Sequence, residues 1–532
     1  MSTDFDFVVV GAGSAGCAVA NRLSASGQYR VLLLEAGPAR NLLSSVPISF
    51  ASLIDDPSAN WCYRSEPEPA TAERPIPVPR GRMLGGSSSI NGMVYVRGQQ
   101  LDFDTWAQMG NRGWSFEDVL PYFKRMEAYG DGGESRGTEG PLRIGVVHDD
   151  NPLYEALLEA GLELGLPNNP DYNGADQEGI VRTQATIANG RRMSAAVAYL
   201  EPAKQRRNLV IRCNAGVSRL VHANGQCTGV EYSVGGKVEQ ANAAREVILC
   251  GGAINSPQLL ELSGIGTPEL LKSQGITVLH ALPGVGENLR DHIGPRMAYS
   301  ISKPGLALND KGRGLGLAGQ IIRYALKRDG LLSLPTAPVL GFIKTRPELA
   351  SPDVQYHFVP YRVVLKDGKR SMGKDPGITV TVNQCRPESV GSVHIRSATS
   401  TDAPAIKFNF LSSETDRRTL IDGLRFVRRL AATQALEEVI GEEIQPGAAT
   451  QSDNELLAFI REKAETVYHP SGTCKMGDDP MAVVDPRLKV HGVDGLRIAD
   501  ASIMPTLTSG NTNAPCIMIG EKCADMVLQD SR

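Results

Sequence analysis

Paired cysteines, aromatic residues, an excess charge of one sign and long apolar runs are all scarce in this 532-residue chain. Each scarcity closes off a class of function. The nine cysteines, at positions 17, 62, 213, 227, 250, 385, 474, 516 and 523, are scattered, and none stands in a CxxC pair. An odd count at wide spacing speaks against a disulfide framework and against structural zinc, so no metal site is expected and a reducing, cytoplasmic compartment is. With 55 basic and 59 acidic residues the formal charge is −4, too weak a field to gather nucleic acid. No apolar run reaches the roughly eighteen residues of a membrane span. The opening MSTDFDFVVVGAG enters a strand with neither a basic nor a long apolar leader segment, so no secretory signal is expected. Histidine is scarce too: there are eight, and one of them sits alone in AETVYHPSGTCKMG, residues 464–477. A solitary imidazole is more often a satisfied structural residue than a reactant, so other segments must decide its role.

The length exceeds what one hydrophobic core holds, so two or more lobes are expected. FVVVGAGSAGCAVANRLSASGQYRVLLLEAG opens with an apolar strand at 7–10, followed by Gly11, Gly13 and Gly16, an alanine-rich helix, Gly27 as a stop, and a second strand at 31–34. GxGxxG alone is a weak signal; between a strand and a helix, with Glu35 nineteen residues after Gly16, it is a strong one. The glycines admit a pyrophosphate to the backbone, the helix N-terminus stabilises its charge, and Glu35 can accept hydrogen bonds from an adenosine ribose. The pattern specifies an adenine dinucleotide and leaves NAD and FAD both open.

Farther along, 66–90 is rich in Pro, Gly and Ser and suits an ordered connection wrapped around a ligand. A second α/β region occupies 209–266. By contrast, 297–445 carries alternating runs such as DVQYHFVPYRVVL and GITVTVNQC, which predict a largely antiparallel sheet with one face buried and the other open. The fold class expected is α/β, α+β overall. The helical stretch GLGLAGQIIRYALKRDG (314–330) has an apolar stripe with Arg323, Lys327 and Arg328. We read it as the solvated edge of a cap helix, with contact to an anionic membrane surface as the alternative.

GRMLGGSSSINGMVYVRG (81–98), GAINSPQLLELSGIG (252–266), GVGENLRDH (284–292), YHPSGTCKMG (468–477) and GLRIADASIMPTLTSGNTNAP (495–515), together with the N-terminal βαβ unit, resemble the glucose-methanol-choline family of FAD oxidoreductases. Six motifs in order span about residues 5–528, and the likeness is greatest to bacterial medium-chain alcohol dehydrogenases and choline dehydrogenases. The resemblance implies FAD held by a discontinuous Rossmann-like domain (1–155, 203–296, 465–532) beside a substrate-binding domain (156–202, 297–464). It further implies that Gly11, Gly13, Gly16 and Glu35 contact the ADP half and Val217 the adenine. Gly85, Gly86, Ser87, Asn91, Gly92, Met93 and Val94 would lie along the pyrophosphate and isoalloxazine, and Asp500 and Ala501 over the pyrophosphate and ribityl chain. Members that attach flavin covalently do so through a His immediately before the Asn; here that position is Ile90, so noncovalent FAD is expected.

The same resemblance makes His469 the catalytic base and Asn511 its partner. A neutral imidazole can take the hydroxyl proton while the α-carbon gives hydride to flavin N5, and a carboxamide can stabilise the developing alkoxide. Asn513, followed by Ala514 and Pro515, reads as a helix N-cap whose positive dipole end points into the site, near flavin N1. His292 is expected to be hydrogen-bonded and unreactive; His357 and His394 are candidates for the pocket wall. The expected reaction is oxidation of medium-chain aliphatic or benzylic primary alcohols to aldehydes, with electrons passing to a quinone or another acceptor. The alternatives are an oxidase that reduces O₂ to hydrogen peroxide, a choline dehydrogenase, and, in a different class, a hydroxynitrile lyase or photodecarboxylase. No aromatic cage for a quaternary ammonium can be picked out, which favours the neutral alcohols. Peripheral contact with the inner membrane is compatible with this chemistry.

Overall fold

The computed structural model describes residues 4–130, 132–309, 311–366 and 369–531. In chain order, β1 (Asp4–Val10), α1 (Ser14–Ser24) and β2 (Val31–Leu34) form the initial unit, and β3 (Gly179–Arg182) departs for a second sheet. The chain returns with β4 (Leu209–Arg212), β5 (Ala215–Ala223), β6 (Gln226–Val234), β7 (Lys237–Leu249) and α2 (Gly252–Leu262). It crosses again with β8 (Arg296–Ile301), α3 (Gly314–Lys327), β9 (Val339–Ile343), β10 (Val354–Val359), β11 (Gly377–Gln384), α4 (Glu414–Ala431) and β12 (Ile440–Gln445). It ends with β13 (Leu496–Ile498) and α5 (Asn513–Asp530).

The first sheet has the order β4-β2-β1-β7-β6-β5, with β13 also paired to β7. Strands β4, β2, β1, β7 and β13 run parallel, while β5 and β6 form an antiparallel extension from the long β7. Val8, Val9, Val31, Leu32 and Leu33 expose no surface. Near-continuous apolar strands belong in such a doubly covered parallel sheet, where each buried side chain of this size contributes about 1.5–3 kcal/mol.

The second sheet, β12-β8-β11-β10-β9-β3, is antiparallel at every pairing. Its alternating sequence predicts one open face, but β9, β10 and β11 are buried on both. Val354, Tyr356, Phe358, Val380 and Val382 pack with Leu420, Leu424 and Phe426 of α4. The opposite rows pair His357 with Thr381 and Gln355 with Asn383, and these polar residues are also buried. They lie on the side of an internal cavity, which supplies the polar surroundings that the sequence pattern attributes to water.

Helix α3 is solvated along its length, as an edge helix would be: Leu315, Ile322 and Leu326 are 93, 60 and 79% exposed, and Tyr324 is its one buried residue. A second correction concerns α5. The helix begins at Asn513 itself with Thr512 in the cap position, and no side chain caps it. The Asn513 Oδ1 instead accepts a hydrogen bond from Ser14 Oγ at 2.8 Å, tying the starts of α1 and α5 together.

Candidate active site

A cavity of about 990 Å³ lies between the two sheets and runs from the glycine turn after β1 to His469. At one end the chain turns through Gly11 with φ +99°, where a Cβ would stand 2.5 Å from the Cys250 carbonyl oxygen. Such a conformation and approach admit glycine alone. Helix α1 then starts at Gly13 without a side-chain cap, so the N-termini of α1 and α5, both lacking side-chain caps, converge on the cavity. Free amide donors and two positive dipole ends fit a pyrophosphate. Glu35, at the end of β2, accepts from the Ala12 and Gly37 amides at 3.0 and 2.8 Å. Those bonds fix its carboxylate at the cavity wall beside Val217, and burial raises its pKa to about 7. The glycine cradle, uncapped helix ends and ribose-reading acid together fit an adenine dinucleotide.

Gly11, Gly13, Glu35, Gly86, Ser87, Asn91, Gly92, Met93, Val94, Val217, Asp500, Ala501, Asn511 and Asn513 all line this cavity with His469. Two expected contacts do not. Gly16 sits behind the loop, where a Cβ would be 2.0 Å from the Gly11 carbonyl oxygen; its service is close packing of helix on strand. Gly85 donates its N–H to the Ala12 carbonyl at 2.8 Å and docks one loop on the other. The Asn91 side chain also turns to the protein, its Oδ1 accepting from Met93 N at 3.1 Å and Arg192 Nη1 at 2.7 Å. Ile90, 2% exposed, occupies the position beside Asn91.

His469 stands at the other end. Tyr468 before it has φ +74°, a left-handed conformation that costs a non-glycine residue about 1–3 kcal/mol. Three bonds hold this turn: Arg80 Nη2 to the Tyr468 carbonyl at 2.6 Å, Tyr468 N to Thr466 Oγ1 at 2.8 Å, and His469 N to Asp291 Oδ1 at 2.8 Å. The imidazole lies in a chain of hydrogen bonds with a definite direction. The Cys385 carbonyl can only accept, so His292 Nε2, 2.9 Å away, carries the proton. Buried and held neutral, with its pKa lowered to about 4 by burial, His292 therefore presents a bare Nδ1. That atom accepts from His469 Nδ1–H at 2.9 Å. His469 Nε2 is left with a lone pair, and Asn511 Nδ2 donates to it at 3.1 Å. Gln355 Nε2 donates in turn to Asn511 Oδ1 at 3.0 Å, which turns the amide nitrogen towards the histidine.

Burial first, then His292, His357 and Arg80, lower the His469 pKa well below its ordinary value. The group is thus a neutral acceptor at neutral pH. His357 lines the cavity with an unpartnered buried Nδ1, whereas His394 lies outside it, bonded to Glu261 and Glu287 at 2.7 and 3.2 Å. His292 is hydrogen-bonded, as expected, but its partner is the candidate base itself. Gln355, Asp291 and Arg80 escape sequence reasoning. The one available signal for Gln355 is its place beside His357 on the polar side of an otherwise apolar strand.

The description GMC oxidoreductase matches this chain at residues 5–294 and, for the C-terminal part of that family, at 387–520. An oxygen-dependent choline dehydrogenase of Photobacterium profundum is 43% identical over 537 residues, covering 99% of this chain and 94% of that protein. Among solved structures, pyridoxine 4-oxidase from Mesorbium loti superposes with a TM-score of 0.89 at 31% identity, covering 98% of each chain. A formate oxidase superposes at 0.93 with 28% identity, covering 99% of this chain and 98% of that one. The chain belongs to the GMC oxidoreductase family and is an enzyme that uses FAD to oxidise CH–OH groups.

Proposed function

We propose that the protein oxidises a primary alcohol to its aldehyde, with His469 Nε2 taking the hydroxyl proton and Asn511 Nδ2 hydrogen-bonding the same oxygen as negative charge develops. The observation that carries this is the directed hydrogen-bond chain, which leaves His469 Nε2 an acceptor that Asn511 Nδ2 now fills and that a substrate hydroxyl would take over, with Asn511 turning its N–H to the substrate oxygen. A positioned base of this kind is worth about 10² to 10⁴ in rate, and one preorganised donor roughly a further 10² or more. Bound FAD would supply the two-electron acceptor for the hydride that leaves the α-carbon. Gly11, Gly13, Glu35 and Val217 would hold its ADP half, and Gly86, Ser87, Met93, Val94, Asp500 and Ala501 the pyrophosphate and flavin. Residues 1–155, 203–296 and 465–532 form the cofactor domain in this reading. With an alkyl side chain at Ile90, FAD stays noncovalent and acid precipitation releases it from the chain.

The alcohols favoured are aliphatic chains of medium length or benzylic, with a quinone or O₂ reoxidising the flavin. Choline fits poorly. Among the described residues the acids lining the cavity are Glu35 and Asp500, while Arg80, Arg82, Arg296 and Arg370 line it as cations. Of the lining aromatic rings Phe50, Trp61, Tyr361 and Tyr468, two already carry guanidinium groups, Arg82 over Trp61 at 5.0 Å and Arg370 over Tyr468 at 5.4 Å. Anaerobic mixing of the holoenzyme with benzyl alcohol, hexanol and choline, followed by flavin absorbance, tests the proposal. Bleaching by the neutral alcohols and its absence with choline is the expected result; admitting air then separates oxidase from dehydrogenase. Flavin that no alcohol bleaches would count for the lyase chemistry instead.

A further inference from the structure

We propose that Arg296 and Arg370 bind a carboxylate at the far end of the substrate, so that the alcohol oxidised here is a hydroxymethyl compound bearing one negative charge. The inference rests on the alcohol-oxidation reading and adds the substrate class.

Both side chains line the cavity, and both bond the same acid: Arg296 Nη1 and Arg370 Nη2 reach Glu465 Oε2 at 2.5 and 2.7 Å. One carboxylate thus serves two guanidinium groups, and the further acid that acts on Arg370, Asp55, does so by charge without a hydrogen bond, so this partly buried wall carries an excess of positive charge. Burial alone would raise Glu465, yet the two arginines hold it at about 2, so the acid is fully charged and has no capacity left to neutralise the second cation. Among the described residues no acceptor meets Arg370 Nη1, nor Nε and Nη2 of Arg296, and Arg370 Nε is buried without a partner. The free Nε/Nη2 edge of Arg296 matches a carboxylate in geometry and in charge, and Arg370 Nη1 is a further free donor. A phosphate dianion would overfill a site with at most one spare positive charge.

Register fixes the pair's place. Arg296 of β8 is directly opposite Thr381 of β11, which is directly opposite His357 of β10, so the three side chains share the cavity face of the second sheet. His357 in turn faces Asn511. Two strand spacings, about 10 Å, therefore separate the Arg296 backbone from that of the residue next to the catalytic pair. An extended or aromatic substrate would place its hydroxymethyl group at His469 and its other end at the arginines. The FAD pyrophosphate is a poor competitor for this charge, because the glycine turn and helix ends that suit it belong to the first sheet.

The test uses holoenzyme and two readouts. First, benzoate and its neutral amide, benzamide, are titrated while the flavin spectrum is followed. Benzoate should bind at least about ten-fold more tightly, the usual worth of a charge-assisted hydrogen bond. That advantage should shrink with added salt and vanish in Arg370→Gln. Second, the kcat/KM ratio of para-hydroxymethylbenzoate to benzyl alcohol should exceed about ten on the same grounds and collapse in the same variant. If Arg370→Gln loses FAD, Arg296→Gln is read in its place. Benzoate binding no tighter than benzamide, or an advantage that survives both substitutions, overturns the proposal. Selective benzoate binding with no alcohol able to bleach the flavin would keep the anion site and reject the alcohol reading.

Discussion

His292 and His469 meet Nδ1 to Nδ1 at 2.9 Å with their rings nearly perpendicular, 86° apart. Two imidazoles can share such a contact only if one carries the proton and the other does not. The Cys385 carbonyl decides which: it accepts a hydrogen bond from His292 Nε2–H and thereby forces His469 to donate through Nδ1. A main-chain carbonyl that never touches the base thus sets the atom at which the base works.

Replacing His292 with Phe should remove that constraint while keeping an aromatic ring of similar bulk. His469 could then adopt either tautomer, and its Nδ1–H would lose a buried acceptor. The rate of anaerobic flavin reduction should fall by about 10²-fold, with FAD content unchanged and the pH profile of reduction altered. Loss of bound FAD with an unaltered reduction rate per flavin would make His292 a structural residue only.

The acid side of the pH profile offers an independent check on His469. Burial, reinforced by His292, His357 and Arg80, disfavours its charged form, so the base stays neutral below its ordinary pKa of 6.5. His469 should therefore add no step to flavin reduction by a non-ionising alcohol such as hexanol from about pH 9 down past 6.5, and a step at about pH 7 belongs to Asp291, which accepts from His469 N and is raised to about 7 by burial. A step at about pH 7 that persists in Asp291→Asn would contradict a base held neutral by its surroundings.

The two lobes differ in how much of their structure the sequence reveals. The dinucleotide end is legible because its chemistry is done by backbone: Gly11 and Gly16 are required by local geometry, which neighbouring residues reveal. The substrate end is built across strands. Gln355, Arg296 and Arg370 join the site through pairings between segments far apart in the chain, and a sequence pattern of alternating polarity cannot say whether the polar side meets water or a cavity. At the start of α5 the Asn and Pro signals leave the boundary loose, and the cap falls on Thr512, one residue before Asn513.

Helix α3 should mediate contact with anionic lipid. Leu315, Ile322 and Leu326 are exposed along it, and Arg313, Arg323, Lys327 and Arg328 provide basic charge, although Arg323 is paired with Asp329 at 2.7 Å. Buried apolar area plus attraction to anionic headgroups is the usual basis of such binding. The holoenzyme should sediment with phosphatidylglycerol vesicles at low salt and remain free with phosphatidylcholine vesicles. Changing Ile322→Glu and Leu326→Glu together should abolish sedimentation and leave flavin reduction by hexanol intact. Failure of the wild-type protein to bind either vesicle would rule out lipid as the partner of this face.

His394 makes stability depend on alkaline pH. Burial pulls its pKa down, but hydrogen bonds to Glu261 and Glu287 outweigh burial and raise it to about 9, against 6.5 for the free side chain. A group whose folded pKa is raised contributes its full stabilisation below the unfolded value and loses it as pH climbs through the folded one. The stabilisation is thus complete below about pH 6.5 and gone above about 9, an interval that linkage equates with at most on the order of 3 kcal/mol, less whatever solvent screening removes at a half-buried site. His394→Gln keeps a donor near Glu261 without the titrating charge. At about pH 6.5 that variant should unfold at a clearly lower temperature than the wild type, and the two Tm values should converge by about pH 10. A gap between the proteins that stays constant across that range would mean that His394 contributes through packing or an uncharged hydrogen bond, and not through the bridge it forms between the two carboxylates.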